Sequence, residues 1–149
     1  MAAGNLPQPS ASTLYAIYFP AGVTITQGGS TSGVQFCAYH GTTSGPEMFY
    51  SVLPDFSSPG MSSGCGSGSE FQNVTSVSSH ELVEATTDAE VGLETNNAPP
   101  LAWYDPTNGE IGDICNGQQR QITGGDGNVY TVQLEWSNVQ NACVASSTG

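Results

Sequence analysis

The stretch Ser69 to Asp88, SEFQNVTSVSSHELVEATTD, decides how the rest of the chain is read. It holds neither Gly nor Pro, in a chain with 19 Gly and 9 Pro. Ser69 followed three residues later by Gln72 is a capping-box pattern, which satisfies the free N–H groups at a helix start. The spacing predicts one long helix over 70–87. Its many Ser, Thr and Val residues are mediocre helix formers. A helix here must therefore be held by tertiary contacts or by a site.

Inside it lies His80-Glu81-Leu82-Val83-Glu84. Positions four apart share a helix face, so His80 and Glu84 can grip one cation. Glu81, one step round, can reach a water on that cation. This is the HExxH layout with the second His replaced by Glu. Imidazole and carboxylate both bind zinc, and a third protein ligand leaves a position open for water. The adjacent Glu then takes a proton from that water as it attacks a carbonyl. A His with two carboxylates cancels the charge of the ion, so its water is less acidic than in a His-rich site. Oxygen ligands also admit Mn²⁺ or Ca²⁺ beside Zn²⁺. A solvated acidic face and a structural His are the competing readings. Scarcity favours the metal: the chain has 13 acids and 2 His, and this pentapeptide holds three of those residues.

Four residues compete to be the third ligand. The segment Gly109-Glu110-Ile111-Gly112-Asp113-Ile114-Cys115 sets two acids close together, where a disulfide at Cys115 can pin them. An ordinary Asp-rich turn is the alternative there. His40 ends a predicted strand in Tyr39-His40-Gly41. Glu90 lies ten residues beyond His80, as the third metzincin ligand does, but Thr87 stands where that pattern has its turn glycine. The order of preference is Asp113, Glu110, His40, Glu90.

Composition narrows the partners. Thirteen acids face one base, Arg120, for a formal net charge of −12. No basic surface exists, so neither nucleic acid nor an anionic membrane is expected as a partner. No apolar run approaches the roughly 18 residues of a membrane span. Six Tyr, five Phe and two Trp in 149 residues argue for a packed core in a single domain. Met1 to Ser12 lacks the charged and apolar regions of a signal peptide and reads as a flexible segment, 1–12. The domain then spans 13–144, and 145–149 is a small-residue fray. Cys37, Cys65, Cys115 and Cys143 form no CxxC pair, which favours two disulfides in an oxidising, extracellular setting over a zinc finger. Four cysteines allow three pairings, and spacing does not choose among them. The sequon Asn73-Val74-Thr75 falls within the predicted helix and is read as fortuitous.

Alternating and β-rich runs predict strands around this helix. Residues 13–19 and 23–26 read as a hairpin about Pro20-Ala21-Gly22. Residues 34–39 and 48–53 follow, then a loop over 54–69. Beyond the helix come a loop over 92–100, the segments 101–105 and 110–115 about a turn at Pro106 to Gly109, and a final pair, 120–123 with 129–136. In that last strand Tyr130, Val132, Leu134 and Trp136 share a face. The fold class is α+β: a mixed or antiparallel sheet, one dominant helix and long loops. An edge at 34–39 or 47–54 would accept an extended peptide by strand addition.

HELVEATTD at 80–88, Trp103-Tyr104-Asp105 and EIGDIC at 110–115 together carry a resemblance. The chain resembles secreted bacterial and fungal proteins with HELxEAxTDP, a W-Y-D element and GEIGDxC. It is similar, more distantly, to the plant phosphate-induced/EXORDIUM family. The similarity runs from about Leu14 through Cys143 and includes FCAYHG at 36–41. It implies a zincin-like fold, Glu81 as base, and His80 and Glu84 as ligands with Glu110 or Asp113. Two departures stand out. Ala89 replaces a usual Pro, and Phe56 and Met61 occupy a loop expected to be richer in Cys. The disulfide pairing expected is Cys37–Cys65 with Cys115–Cys143.

The function expected is a secreted, monomeric, metal-dependent hydrolase, with zinc as the first choice of ion and a peptide or small ester as substrate. The same activated water can attack phosphoesters. With no base at hand, Tyr39, Tyr104 or the metal must hold the oxyanion. The alternative is a non-catalytic extracellular binding module. There Glu84, Asp88, Glu110 and Asp113 hold Ca²⁺, and Trp103, Tyr104 and Trp136 contact sugar or protein.

Overall fold

A computed structural model describes residues 4, 6–43, 48–91 and 101–146. The expected loop over 92–100 lies outside the described residues, as do residues 1–3, 5 and 147–149 of the two end segments. The architecture is α+β. Strands β1 (Leu14–Tyr18), β4 (Tyr39–Thr42) and β5 (Phe49–Leu53) form a mixed sheet in the order β1-β5-β4. Two more strands, β2 (Thr26–Gln27) and β3 (Ser30–Thr31), make a minimal hairpin. A one-turn helix α1 (Met61–Gly64) precedes the long helix α2 (Glu70–Thr87). A 3₁₀ turn at Asp113–Cys115 leads to the hairpin of β6 (Gln119–Thr123) and β7 (Val129–Gln133). Last come β8 (Glu135–Ser137) and β9 (Ala142–Val144), also antiparallel. No helix among the described residues is long and apolar enough to cross a membrane.

Helix α2 has the bounds its pattern predicts. Its capping box is complete: Gln72 N donates to Ser69 Oγ (3.3 Å), and Ser69 N donates to Gln72 Oε1 (2.9 Å). Contacts with the sheet explain how a weak helix former persists. Ser79, Thr86 and Thr87 each donate to a carbonyl one turn back, which by itself does not strengthen a helix. Thr75 and Ser79 dock a strand. Thr75 Oγ1 donates to Thr131 O (2.8 Å), and Ser79 Oγ accepts from Gln133 N (3.0 Å). Four helical residues rise about 6 Å and two strand residues about 6.7 Å, so this i, i+4 pair matches alternate residues of β7. The edge of β7 that β6 leaves open is thus closed by side chains of α2.

That polar dock overturns one expectation. On β7 the buried residues are Thr131 and Gln133, whereas Tyr130 and Val132 are only half-buried. The surface they meet on α2 is itself polar, so the apolar side of the strand has no claim on the interior. The strand also ends at Gln133 and does not run on through Leu134 to Trp136; Trp136 pairs with Cys143 in the β8–β9 ladder.

Other corrections follow from long-range pairing. Residues 13–19 and 23–26 form no hairpin. β1 runs parallel to β5, Leu14 opposite Phe49, and Gly22 (φ 82) turns the chain away before it meets β2. The expected strand 34–39 begins only at Tyr39. Ahead of it Gly33 packs against the Gly60–Met61 backbone, where an added Cβ would sit 2.9 Å from Gly60 C, and Cys37 is bonded to Cys65. β5 is the central strand, not an edge. The edge strand β4 has His40, Gly41 and Thr42 buried, so it offers no open ladder to a peptide. In 110–115 the 3₁₀ turn replaces a strand, and Asp105 with Gly109 forms an isolated bridge.

One apolar cluster joins Phe56, Met61 and Cys65, with Cys37, Val74 and Val77 against them, and Ile25, Val52 and Leu53 are buried outside it. The two side chains that depart from the resemblance, Phe56 and Met61, are 3% and 1% exposed and pack beside the Cys65 bridge. All four cysteines are bonded, Cys37–Cys65 and Cys115–Cys143, each across 28 residues. Each bridge should contribute roughly 2–4 kcal/mol by restricting the unfolded chain. Replacing Cys115 and Cys143 together by Ser is expected to lower the urea-unfolding free energy by that amount. An unchanged midpoint would refute this.

Candidate metal centre

Helix α2 turns its polar side inward. Asn73, Ser76, Glu81, Glu84 and Ala85 are buried, while Phe71 and Leu82 are more than half exposed. Glu81 and Glu84 are each 3% exposed, which excludes a solvated acidic face. The buried carboxylates meet two histidines. His80 arrives on the helix itself, and His40 arrives from β4 at a position opposite Ser51.

Around His80, Nε2 lies 3.0 Å from Glu84 Oε2 and 3.9 Å from Asp113 Oδ1. One ligand atom from each of these three residues lies within 4.8 Å of the others. Asp113 is the N-terminal residue of the 3₁₀ turn, and its Oδ2 accepts from Glu110 N (3.1 Å). Glu84 Oε1 accepts from Gly112 N (3.1 Å), which fixes the carboxylate on its far side. Gln133 Nε2 lies 2.8 Å from Gly112 O and 2.7 Å from His80 Nδ1. Once Nδ1 carries a proton, that amide cannot serve both partners: Gly112 needs its NH₂ and the imidazole needs its oxygen. A cation on Nε2 puts the ring proton on Nδ1, as full protonation of the ring also does, and in either state Gln133 must present its oxygen to His80.

Around His40, Nδ1 faces Glu81 Oε2 (3.4 Å) and Glu84 Oε2 (3.7 Å). Nε2 faces Asp88 O (3.2 Å) and Glu110 Oε1 (3.3 Å). His40, Glu84 and Glu110 form a second set with ligand atoms within 4.8 Å. Glu84 belongs to both sets.

The predicted residues therefore divide. His80, Glu84 and Asp113 come together, and His40, Glu84 and Glu110 come together. Glu81 binds His40 and borders the cleft beside His80. Glu90 joins neither set. Tyr104 lines a different pocket, and Tyr39 packs edge-on against Phe36 and Tyr50; neither borders the cleft, so neither is placed to hold an oxyanion there. Two participants, Gln133 and Glu135, escaped the sequence reading, and a third, Asp88, was named only as a ligand of the calcium alternative. Gln133 was hidden on the polar side of a strand read by its apolar side. Asp88, fully buried, ends the helix, and its Oδ1 accepts from Ala102 N (2.9 Å). Glu135 sits among His80, Glu84 and Asp113 with both carboxylate oxygens buried and unpartnered. The scarcity of acids that marked Glu81 and Glu84 marks it equally.

The cleft encloses about 420 Å³. One lip is formed by residues 33–38 and the other by Asn116, Gly117 and Gln119, with His80, Glu81, Asp113 and Gln133 between them.

The charges respond to this crowding. Burial works to lower the affinity of His40 for its proton, but Glu110 and Glu81 outweigh it and raise the pKa to about 10. For His80, burial is likewise outweighed by Glu84, Glu81 and Glu135, giving about 9. Burial, then the charges of Glu84, Asp113 and Glu81, push Glu135 up to about 8 against the pull of His80. Burial also raises Glu110. Unfolded, the imidazoles titrate near 6.5 and the carboxyls near 4.5. Between the unfolded and folded values the folded state holds the extra proton, so stability is full below the unfolded value and falls as pH rises through the folded one. Chelator-stripped protein is therefore expected to melt several degrees lower at pH 9.5 than at pH 5.5. A flat melting profile over that range would refute this account of the buried charges.

No family model matches the chain, and neither a curated protein nor a solved structure does, so the reading of the site rests on its own geometry.

Proposed function

We propose that the chain is a secreted, zincin-like, metal-dependent hydrolase of peptide or small ester bonds. The observation that carries this is the convergence of His80 Nε2, Glu84 Oε2 and Asp113 Oδ1 at a cleft lined by His80, Glu81 and Asp113. Tetrahedral zinc bonded at 2.0–2.1 Å sets its donor atoms about 3.3 Å apart. The separations of 3.0 and 3.9 Å from His80 Nε2 bracket that value. The buried, unpartnered oxygens of Glu135 beside them offer a further donor, and neither Lys nor Arg is present to occupy it. The donors thus fit the ion. When bound, zinc would supply an activated water and a Lewis acid for the scissile carbonyl.

The chain's own residues do the rest. Glu81 accepts a proton from the attacking water. His40 positions Glu81 through the contact between Nδ1 and Oε2. The cleft lips hold an extended substrate. The two disulfides support the extracellular setting, one tethering each lip: Cys37–Cys65 the 33–38 side and Cys115–Cys143 the 3₁₀ turn. The test is metal content by mass spectrometry, with hydrolysis of an unfolded protein and of aryl esters, for wild type and Glu84→Ala. Wild type should retain zinc and turn over, and Glu84→Ala should do neither. Full metal in Glu84→Ala would sink the proposal.

One observation favours a second reading, a binding module. Trp103, Tyr104 and Trp136 gather with Asp105, Asn108 and Asn138 around a separate pocket of about 440 Å³. Aromatic faces beside amides and a carboxylate suit a sugar ring. Glycan binding lost in Trp103→Ala, in a protein that hydrolyses nothing, would make this the better account.

A further inference from the structure

We propose that His40, Glu84 and Glu110 hold a second divalent cation, so that Glu84 bridges a pair of ions. The inference depends on the preceding reading only through Glu84, which both sets share.

Six carboxylates surround two imidazoles here: Glu81, Glu84, Asp88, Glu110, Asp113 and Glu135. Neither Lys nor Arg is among them, and the single Arg, Arg120, lies on the exposed strand β6. A buried carboxylate must be paired, protonated or bound to metal. One divalent ion at His80 leaves the His40 side of the cluster with Glu81 and Glu110 facing a single ring and the Asp88 carboxylate bearing on Glu110.

The donor geometry on that side matches a cation. Donors about 2.0–2.2 Å from an ion lie roughly 3–4.4 Å apart, depending on the angle between them. Glu110 Oε1 is 3.3 Å from His40 Nε2, and the Asp88 carbonyl is 3.2 Å from the same atom. One imidazole nitrogen holds one ion, so Nε2 is the donor here and Nδ1 stays with Glu81. Glu84 completes the set, in which one ligand atom from each residue lies within 4.8 Å of the others. A second observation points the same way. Asp88 is 0% exposed, and its Oδ2 has no partner among the described residues. Its charge bears on Glu110, so this unsatisfied carboxylate adjoins the set. Glu110 Oε1 is likewise buried and makes no proper hydrogen bond. One nitrogen among several oxygens suits Mn²⁺ or Zn²⁺ better than Ca²⁺.

The full chain, stripped with chelator, is dialysed against Mn²⁺ or Zn²⁺ and its bound metal counted, with circular dichroism to confirm the fold. Wild type should bind two equivalents, and its Mn²⁺ form should give the electron-paramagnetic spectrum of a coupled pair. Asp113→Asn and Glu110→Gln should each keep one, and Glu84→Gln should weaken both. One uncoupled equivalent, lost in Asp113→Asn and kept in Glu110→Gln, overturns the second site and leaves the proposed function standing. One equivalent lost in Glu110→Gln and kept in Asp113→Asn upholds the His40 site and sinks the His80 reading. A folded wild type that binds no metal overturns both. The spectrum of wild type decides the matter even if a variant fails to fold.

Discussion

Glu81→Gln is expected to keep its metal and to lose at least about 10²-fold in hydrolysis, within the 10²–10⁴-fold range of a general base. The variant is close to isosteric. The new amide can still accept from His40 Nδ1 through its oxygen, so the 3.4 Å contact between strand and helix persists. What disappears is the ability to take a proton. Glu81 belongs to neither ligand set, so metal content should match wild type. His80→Ala should behave oppositely, losing metal and activity together, with a fall in stability because binding is linked to folding. Rate and metal content measured on the same samples separate the two roles. If Glu81→Gln strips the metal, Glu81 is a ligand and the assignment of the base is wrong.

Gly112→Ala should abolish function while sparing the fold. Gly112 has ordinary right-handed backbone angles (φ −80, ψ −34), so alanine fits the chain locally. The new Cβ does not fit the site. It would lie 2.5 Å from His80 Nδ1 and 2.8 Å from both Glu84 Oε1 and Glu135 Oε2. The groups obliged to retreat are the ring and the carboxylate proposed as ligands. A displacement of about 1 Å at reacting groups costs roughly 10²-fold in rate, and both metal affinity and turnover should fall at least that far. Near-UV circular dichroism should be unchanged. Wild-type activity in this variant would mean that His80 and Glu84 do not work in the arrangement described.

Why some of this was legible and some not follows from where each signal lives. The helix was legible because its start is written locally, in Ser69 and Gln72, and because no breaker interrupts it. The pairing of His80 with Glu84 followed from helical spacing, and the two disulfides join the cysteines expected. The parallel match of β1 with β5 was not legible, since each residue of Leu14–Tyr18 pairs 35 positions further on, as Leu14 does with Phe49, and a closer candidate, 23–26, looked adequate. Thr131 and Gln133 were missed for a different reason. Pattern reading assumes that the apolar side of a strand faces the interior. Here the interior at that place is the Ser- and Thr-rich side of α2. His40 was named only as a third-choice ligand because nothing in Tyr39-His40-Gly41 tells that β4 lies beside the helix. Its place became plain once Glu81, Glu84 and Glu110 were seen around one ring.

The position of Arg120 gives the fold a built-in gauge. It is the only residue after which a trypsin-like enzyme can cut, and it stands within a paired strand, opposite Val132. Such enzymes require an unpaired segment that can enter their own groove, so cleavage must wait until β6 peels from β7. The β7 strand left behind is the one clasped by Thr75 and Ser79 and carries Gln133 at the imidazole of His80. The rate of that single cut therefore reports, without any label, how often the wall of the cleft comes apart. Against an enzyme of that specificity it also sets how long the chain survives intact.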